Sequence, residues 1–186
     1  MTPTTLWILV AIAAVIIIGL VWMALSRRRS QQLRQRFGPE YDQTLRSEGN
    51  VRKAEAVLDA RARRVEKLHI RPLAPADATR FDTAWRAVQA RFVDDPKGAV
   101  VEADRLVADL MQVRGYPVGD FEQRAADVSV DHPHVVQNYR TAHDIAVREQ
   151  RGEASTEDLR KAMVHYRALF EDLLESGEPE PREAHR

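Results

Sequence analysis

The chain has 186 residues, 28 Lys or Arg against 28 Asp or Glu, 44% hydrophobic residues and no cysteine. The lack of cysteine excludes a disulfide framework and thiolate metal sites, and it agrees with a reducing compartment. Residues 27–71 hold 13 basic against 6 acidic side chains and residues 72–186 hold 15 against 22, so the acidic distal part lacks the basic face that nucleic-acid binding requires.

The run Leu6–Leu25, LWILVAIAAVIIIGLVWMAL, has no charged residue and no proline. At about 1.5 Å per residue it makes roughly 30 Å of helix, the thickness of a bilayer's hydrocarbon core. Twelve of its residues are Leu, Ile or Val, and their insertion free energies sum to about −5 kcal/mol. Trp7 and Trp22 stand near its two ends, the level at which amphipathic rings favour headgroups. A single transmembrane helix is expected here, after a short outward N-terminus at 1–5. Arg27, Arg28, Arg29, Arg34 and Arg36 flank its C-terminal end. By the positive-inside rule they place that end in the cytoplasm and the N-terminus outside the inner (plasma) membrane. The alternative is a cleaved secretory signal, with Ala24-Leu25-Ser26 as the cleavage pattern. Against it stand an overlong apolar core and no basic residue before it.

The helix is expected to run on past the arginines and break at Gly38-Pro39. A basic juxtamembrane and stalk region follows at 26–75. Its helix is predicted from Pro39 to Leu68, with a weak point at Gly49-Asn50. From Val51 the apolar spacing through Ala54, Leu58, Val65 and Leu68 gives a short heptad seam with Arg61 in the missing place. The seam suits docking on the domain or homo-oligomer formation with a sister chain. The run Arg61-Ala62-Arg63-Arg64 reads as a solvated or lipid-facing surface beside an anionic leaflet. His69 to Pro75 is a linker, because two prolines three residues apart rule out regular helix.

Residues 76–176 read as a bundle of about five helices. Ala78, Phe81, Trp85, Val88 and Phe92 recur at 3, 4, 3, 4, one apolar helical stripe. Their aromatic members are read as core rather than as an exposed partner patch. Asp95 and Pro96 supply an N-cap and a first helical position, and Gly115 a C-terminal cap. Asp120 is expected to cap a short helix ending near Val128. Asp131 with Pro133 repeats the cap-then-proline pattern, opening a helix that carries Val135, Val136, Tyr139, Ala142 and Ala146 and closes at Gly152. Ser155 to Asp158 starts the last helix, with Leu159, Met163, Tyr166, Phe170, Leu173 and Leu174 on its stripe. Gly177 stops it, and 177–186, two prolines among charges, are expected to be disordered. No stretch alternates with period two, so the fold class is all-α.

No phosphate-cradling glycine loop and no HExxH pattern occurs. His132 and His134 beside Asp131, with His143 and Asp144 further on, are the residue types that ligate divalent metals. The plainer reading has Asp131 capping a helix while the two histidines face solvent. His134 and His143 are also half a turn apart on an ideal helix. Asn138-Tyr139-Arg140 and His165-Tyr166-Arg167 echo each other. They read either as the walls of a polar groove for an acidic ligand, or as two core tyrosines bonded at their edges.

Taken together, FGPEYDQTL, IRPLAP, WRAVQARFVDDPKGAV, RGYPVGDFEQRAADVSVDHP and LRKAMVHYRALF resemble an uncharacterised family of small bacterial proteins with one N-terminal membrane helix and a helical soluble domain. The resemblance implies that architecture and no activity. The order of parts is also similar to b-type stalk subunits of ATP synthases, from which the broken, aromatic-striped domain departs. The expectation is a membrane-anchored interaction module on the cytoplasmic face, with no catalysis and no cofactor. Its partners would be the lipid bilayer and a protein, with no nucleic acid. The alternative is a metal- or small-ligand-binding helical domain using His132, His134 and His143.

Overall fold

A computed structural model describes residues 3–117 and 119–175, with side chains from Ile16 onward. The expected disorder of 177–186 and the interface role of Trp7 lie outside the described residues. Among those described there are eight helices and no strand: α1 Pro3–Phe37, α2 Pro39–Glu48, α3 Val51–Val65, α4 Pro75–Arg91, α5 Pro96–Arg114, α6 Phe121–Asp131, α7 Val136–Gln150 and α8 Thr156–Glu175. The all-α reading holds. The chain divides into two compact units, one ending at Leu58 and one beginning at Asp59.

In the first unit α1 stops at Gly38 and Pro39 opens α2. No helix among the described residues is long and apolar enough to cross a membrane, and the first ten side chains of the Leu6–Leu25 run lie outside them. The helix predicted over Pro39–Leu68 is two helices. Gly49 adopts φ 64°, and its N–H bonds to Leu45 O at 3.0 Å to cap α2. Asn50 Oδ1 then accepts from Arg52 N at 2.9 Å and restarts the helix as α3. Of the heptad seam, Ala54, Leu58 and Val65 are buried, Leu68 is half-buried and Val51 is exposed.

The second unit holds the bundle of five helices, α4 to α8, with α5 packed against α4, α7 and α8. The α4 stripe is core: Phe81, Trp85 and Val88 are buried, and the indole of Trp85 stacks on Phe170 of α8 at 4.7 Å. Asp95 caps α5 by accepting from Gly98 N at 2.9 Å. Gly115 ends α5 at φ 101°, where a Cβ would stand 2.4 Å from His69 O. The proline-bearing linker closes over that end, with Arg71 N bonded to Arg114 O at 2.9 Å. Asp120 caps α6 through Gln123 N at 2.8 Å. Ser155 and Asp158 exchange bonds at the start of α8.

Two local expectations are corrected. Helix α6 runs through Val128 to Asp131, so Asp131 is its last residue rather than the cap of the next helix. His132 is the turning point: its N–H caps α6 on Val128 O, and its carbonyl accepts from Val135 and Val136 to launch α7. The Arg61–Arg64 surface is also not uniformly solvated. Arg64 reaches Asp127 of α6, with Nε at 2.7 Å and Nη2 at 2.5 Å from Oδ1. Asp127 is 1% exposed and also accepts two bonds from Gln123 Nε2.

Candidate functional site

Two histidine-bearing polar clusters form in the second unit. The first gathers the end of α5, the α6–α7 turn and the last turns of α8. His132 is buried, the opposite of its expected solvent position. Its Nε2 lies 3.4 Å from Arg114 Nη1 and its Nδ1 meets Asp172. A guanidinium can only donate, so Nε2 must offer a lone pair. That assigns the Nδ1–H tautomer, which donates to Asp172. Burial holds the His132 pKa below the ordinary histidine value, against the upward pull of Asp172.

Arg114, itself buried, also donates to Leu173 O at 3.1 Å. Leu173 lies near the C-terminal end of α8 as described. His134 is exposed, and its Nε2 stands 2.8 Å from Asp172 Oδ1. Next to this group the Tyr116 hydroxyl donates to Asp131 Oδ2 at 2.9 Å. Burial, reinforced by the Asp131 charge, raises the Tyr116 pKa.

The second cluster lies between α5, α6, α7 and α8. His143 stacks on Phe121 at 3.6 Å, and its Nδ1 is 3.8 Å from Asp104 Oδ1, too long for a hydrogen bond. The Tyr166 hydroxyl donates to the same oxygen at 2.8 Å. Burial pushes the Asp104 carboxyl up, but His143, Tyr166 and Arg124 carry it below its ordinary value. Arg124 Nε donates to the Tyr139 hydroxyl at 3.2 Å, and burial raises that phenol's pKa to about 12.

The three candidate histidines therefore do not converge: His132 and His134 share Asp172, and His143 serves Asp104. Each oxygen of Asp172 already faces an imidazole nitrogen, and the Arg114 cation stands behind His132. Among the described residues no group of three or more His, Cys, Asp or Glu is arranged to hold a metal ion. The two echoing tripeptides do face each other across α7 and α8, with His165 Nδ1 3.1 Å from Asn138 Oδ1. Tyr139 and Tyr166 fill the space between them edge to face at 6.4 Å, both fully buried. Arg167 pairs with Glu171 of its own helix at 2.7 Å.

Asp172, Arg114, Asp104 and Asp127 carry these networks, and none was singled out from the sequence. The one usable signal was the tripeptide echo, which marks the facing helices but not the acids they bond. Trp22 and the five flanking arginines, Arg27, Arg28, Arg29, Arg34 and Arg36, all lie exposed on α1. The Arg34 guanidinium sits over the Tyr41 ring at 4.9 Å.

Comparison with protein-family models, with curated proteins and with solved structures finds no match to this chain.

Proposed function

We propose that the protein is a membrane-anchored, non-enzymatic interaction module, tethered by the Leu6–Leu25 segment with its helical bundle on the cytoplasmic face. One observation carries this reading. All ten residues from Ile16 to Leu25 are exposed on a continuous helix, and eight of them are large and apolar. An amphipathic surface helix keeps a polar face toward water; this stretch has none. Apolar side chains on every face of a helix that satisfies its own backbone suit lipid. The exposed arginines from Arg27 to Arg36 follow at once, with no acidic residue before Glu40. That asymmetry supports a cytoplasmic C-terminal side. The non-catalytic part of the reading draws on the buried members of the two clusters, where His132 bonds Asp172 and Tyr166 bonds Asp104 within the bundle.

Alkaline carbonate extraction of membranes tests the anchor. The full chain should stay in the pellet and be released only by detergent, whereas a chain lacking residues 1–26 should be found in the supernatant. Full-length protein freed by carbonate, or a mature product in the extracytoplasmic fluid beginning near Ser26, would overturn the proposal.

A further inference from the structure

A groove of about 680 Å³ runs between α5 and α7. Its apolar wall is Val100, Val101, Leu106 and Ala146, with Val101 left 60% exposed. Glu149, whose side chain is 10% exposed, also lines it. One carboxylate oxygen, Oε1, meets Lys97 Nζ at 2.6 Å; the other, Oε2, is buried without a hydrogen-bond partner. A carboxylate held out of water with half its acceptors unmet is an incomplete arrangement. Lys97 is 68% exposed and flexible, so it can swing off into solvent. An ammonium is a point donor, whereas a guanidinium offers two parallel N–H groups that match both carboxylate oxygens. Of the other cations on the rim, Arg91 is engaged with Glu102 at 3.0 Å, and Arg105 stands 4.0 Å from Asp109.

The geometry points to a docking site for an arginine of a protein partner, its guanidinium replacing Lys97 on Glu149 and its apolar neighbours lying along Val101, Leu106 and Ala146. The groove is several times larger than one arginine side chain, and its apolar length asks for flanking leucine-like residues rather than free arginine. This deepens the interaction-module reading and rests on it.

The test is methyl NMR of the full chain in lipid nanodiscs, titrated with the peptide acetyl-Leu-Arg-Leu-amide. Saturable shifts are expected at the Val101, Leu106 and Ala146 methyls, with the lysine counterpart about tenfold weaker, the loss of one charge-assisted bond. Glu149→Gln should abolish the shifts while leaving the remaining methyl spectrum in place. Lys97→Ala, which leaves the core untouched, should tighten binding several-fold and decides the matter if Glu149→Gln does not fold. No saturable shift at these methyls, shifts retained in Glu149→Gln, unchanged affinity in Lys97→Ala, or equal binding of the lysine peptide or of free arginine would overturn the proposal. Carbonate extraction of the same chain reports separately on the anchor, so failure of the groove and failure of the tether are distinguishable.

Discussion

Arg64 gives the sharpest test of how the end of α3 is held against α6. Its guanidinium, 40% exposed, contacts an Asp127 carboxylate that is 1% exposed. Removing one partner of a fully buried pair costs about 3–5 kcal/mol, because the remaining charge is left uncompensated. Here the arginine is partly in water, and Gln123 Nε2 still donates to both oxygens of Asp127 at 3.1 and 3.0 Å. Solvent screening and that surviving donor reduce the expected cost of Arg64→Met to about 2 kcal/mol. For a unit of this size that is a fall of roughly 6–10 °C in melting temperature.

Thermal unfolding of the full chain in a neutral detergent, followed by helical circular dichroism, reads it directly. Asp127→Asn should cost less, since an amide keeps a hydrogen-bonding group and carries no buried charge. The double variant should recover about 1 kcal/mol or more relative to the sum of the singles, the coupling expected of contacting groups. A melting temperature for Arg64→Met within 1 °C of the parent, or strict additivity in the cycle, would refute the Arg64–Asp127 pairing.

Further outcomes follow at three other residues. Trp85→Ala, which empties a buried site stacked on Phe170, should cost about 3–5 kcal/mol in denaturant titration. Trp85→Phe should cost less than about 1.5 kcal/mol, because it keeps a ring and removes an indole N–H that has no partner. Gly115→Ala should lose about 1–3 kcal/mol, since φ is 101° and a Cβ would meet His69 O; the parent's melting temperature would contradict this. His132 gives a pH dependence. Its folded pKa lies below the ordinary value, so the unfolded chain takes the proton first. Stability is then full above about pH 6.5 and falls as pH drops from there toward the folded pKa. His132→Gln should flatten that slope, and an unchanged slope would show that another group titrates.

Much of the fold is legible in the sequence because its signals are local. Asp95 with Pro96, Asp120, Ser155 and Gly115 act within one turn of themselves, and all four sit where their capping chemistry puts them. The stripes through Phe81, Trp85 and Val88, and through Leu159, Tyr166 and Phe170, face the core for the same reason. Asp131 shows how a local signal misleads: an acid two residues before a proline suits an N-cap, yet burial of Val128 and Val130 carries α6 on to that acid. Gly49-Asn50, read as a weak point, is a full break because the αL cap and the Asn50 side chain satisfy both new helix ends.

The polar networks were not legible for a different reason. Arg64 and Asp127 are 63 residues apart, Tyr166 and Asp104 62, and His132 and Asp172 40. Such pairs depend on how helices cross, which neither composition nor periodicity encodes. Glu149 likewise has no marker in its own segment; only the packing of α7 on α5 sets it against Lys97.

The tethered, cytoplasm-facing bundle is tested most directly by labelling introduced thiols, since the chain has no cysteine of its own. Val93→Cys places a thiol at a residue 82% exposed on the bundle, and Thr4→Cys places one ahead of the apolar segment. With a membrane-impermeant maleimide on intact spheroplasts, Thr4→Cys should label at once and Val93→Cys only after the membrane is permeabilised. Labelling of Val93→Cys in intact spheroplasts would put the bundle on the outer side and contradict the reading.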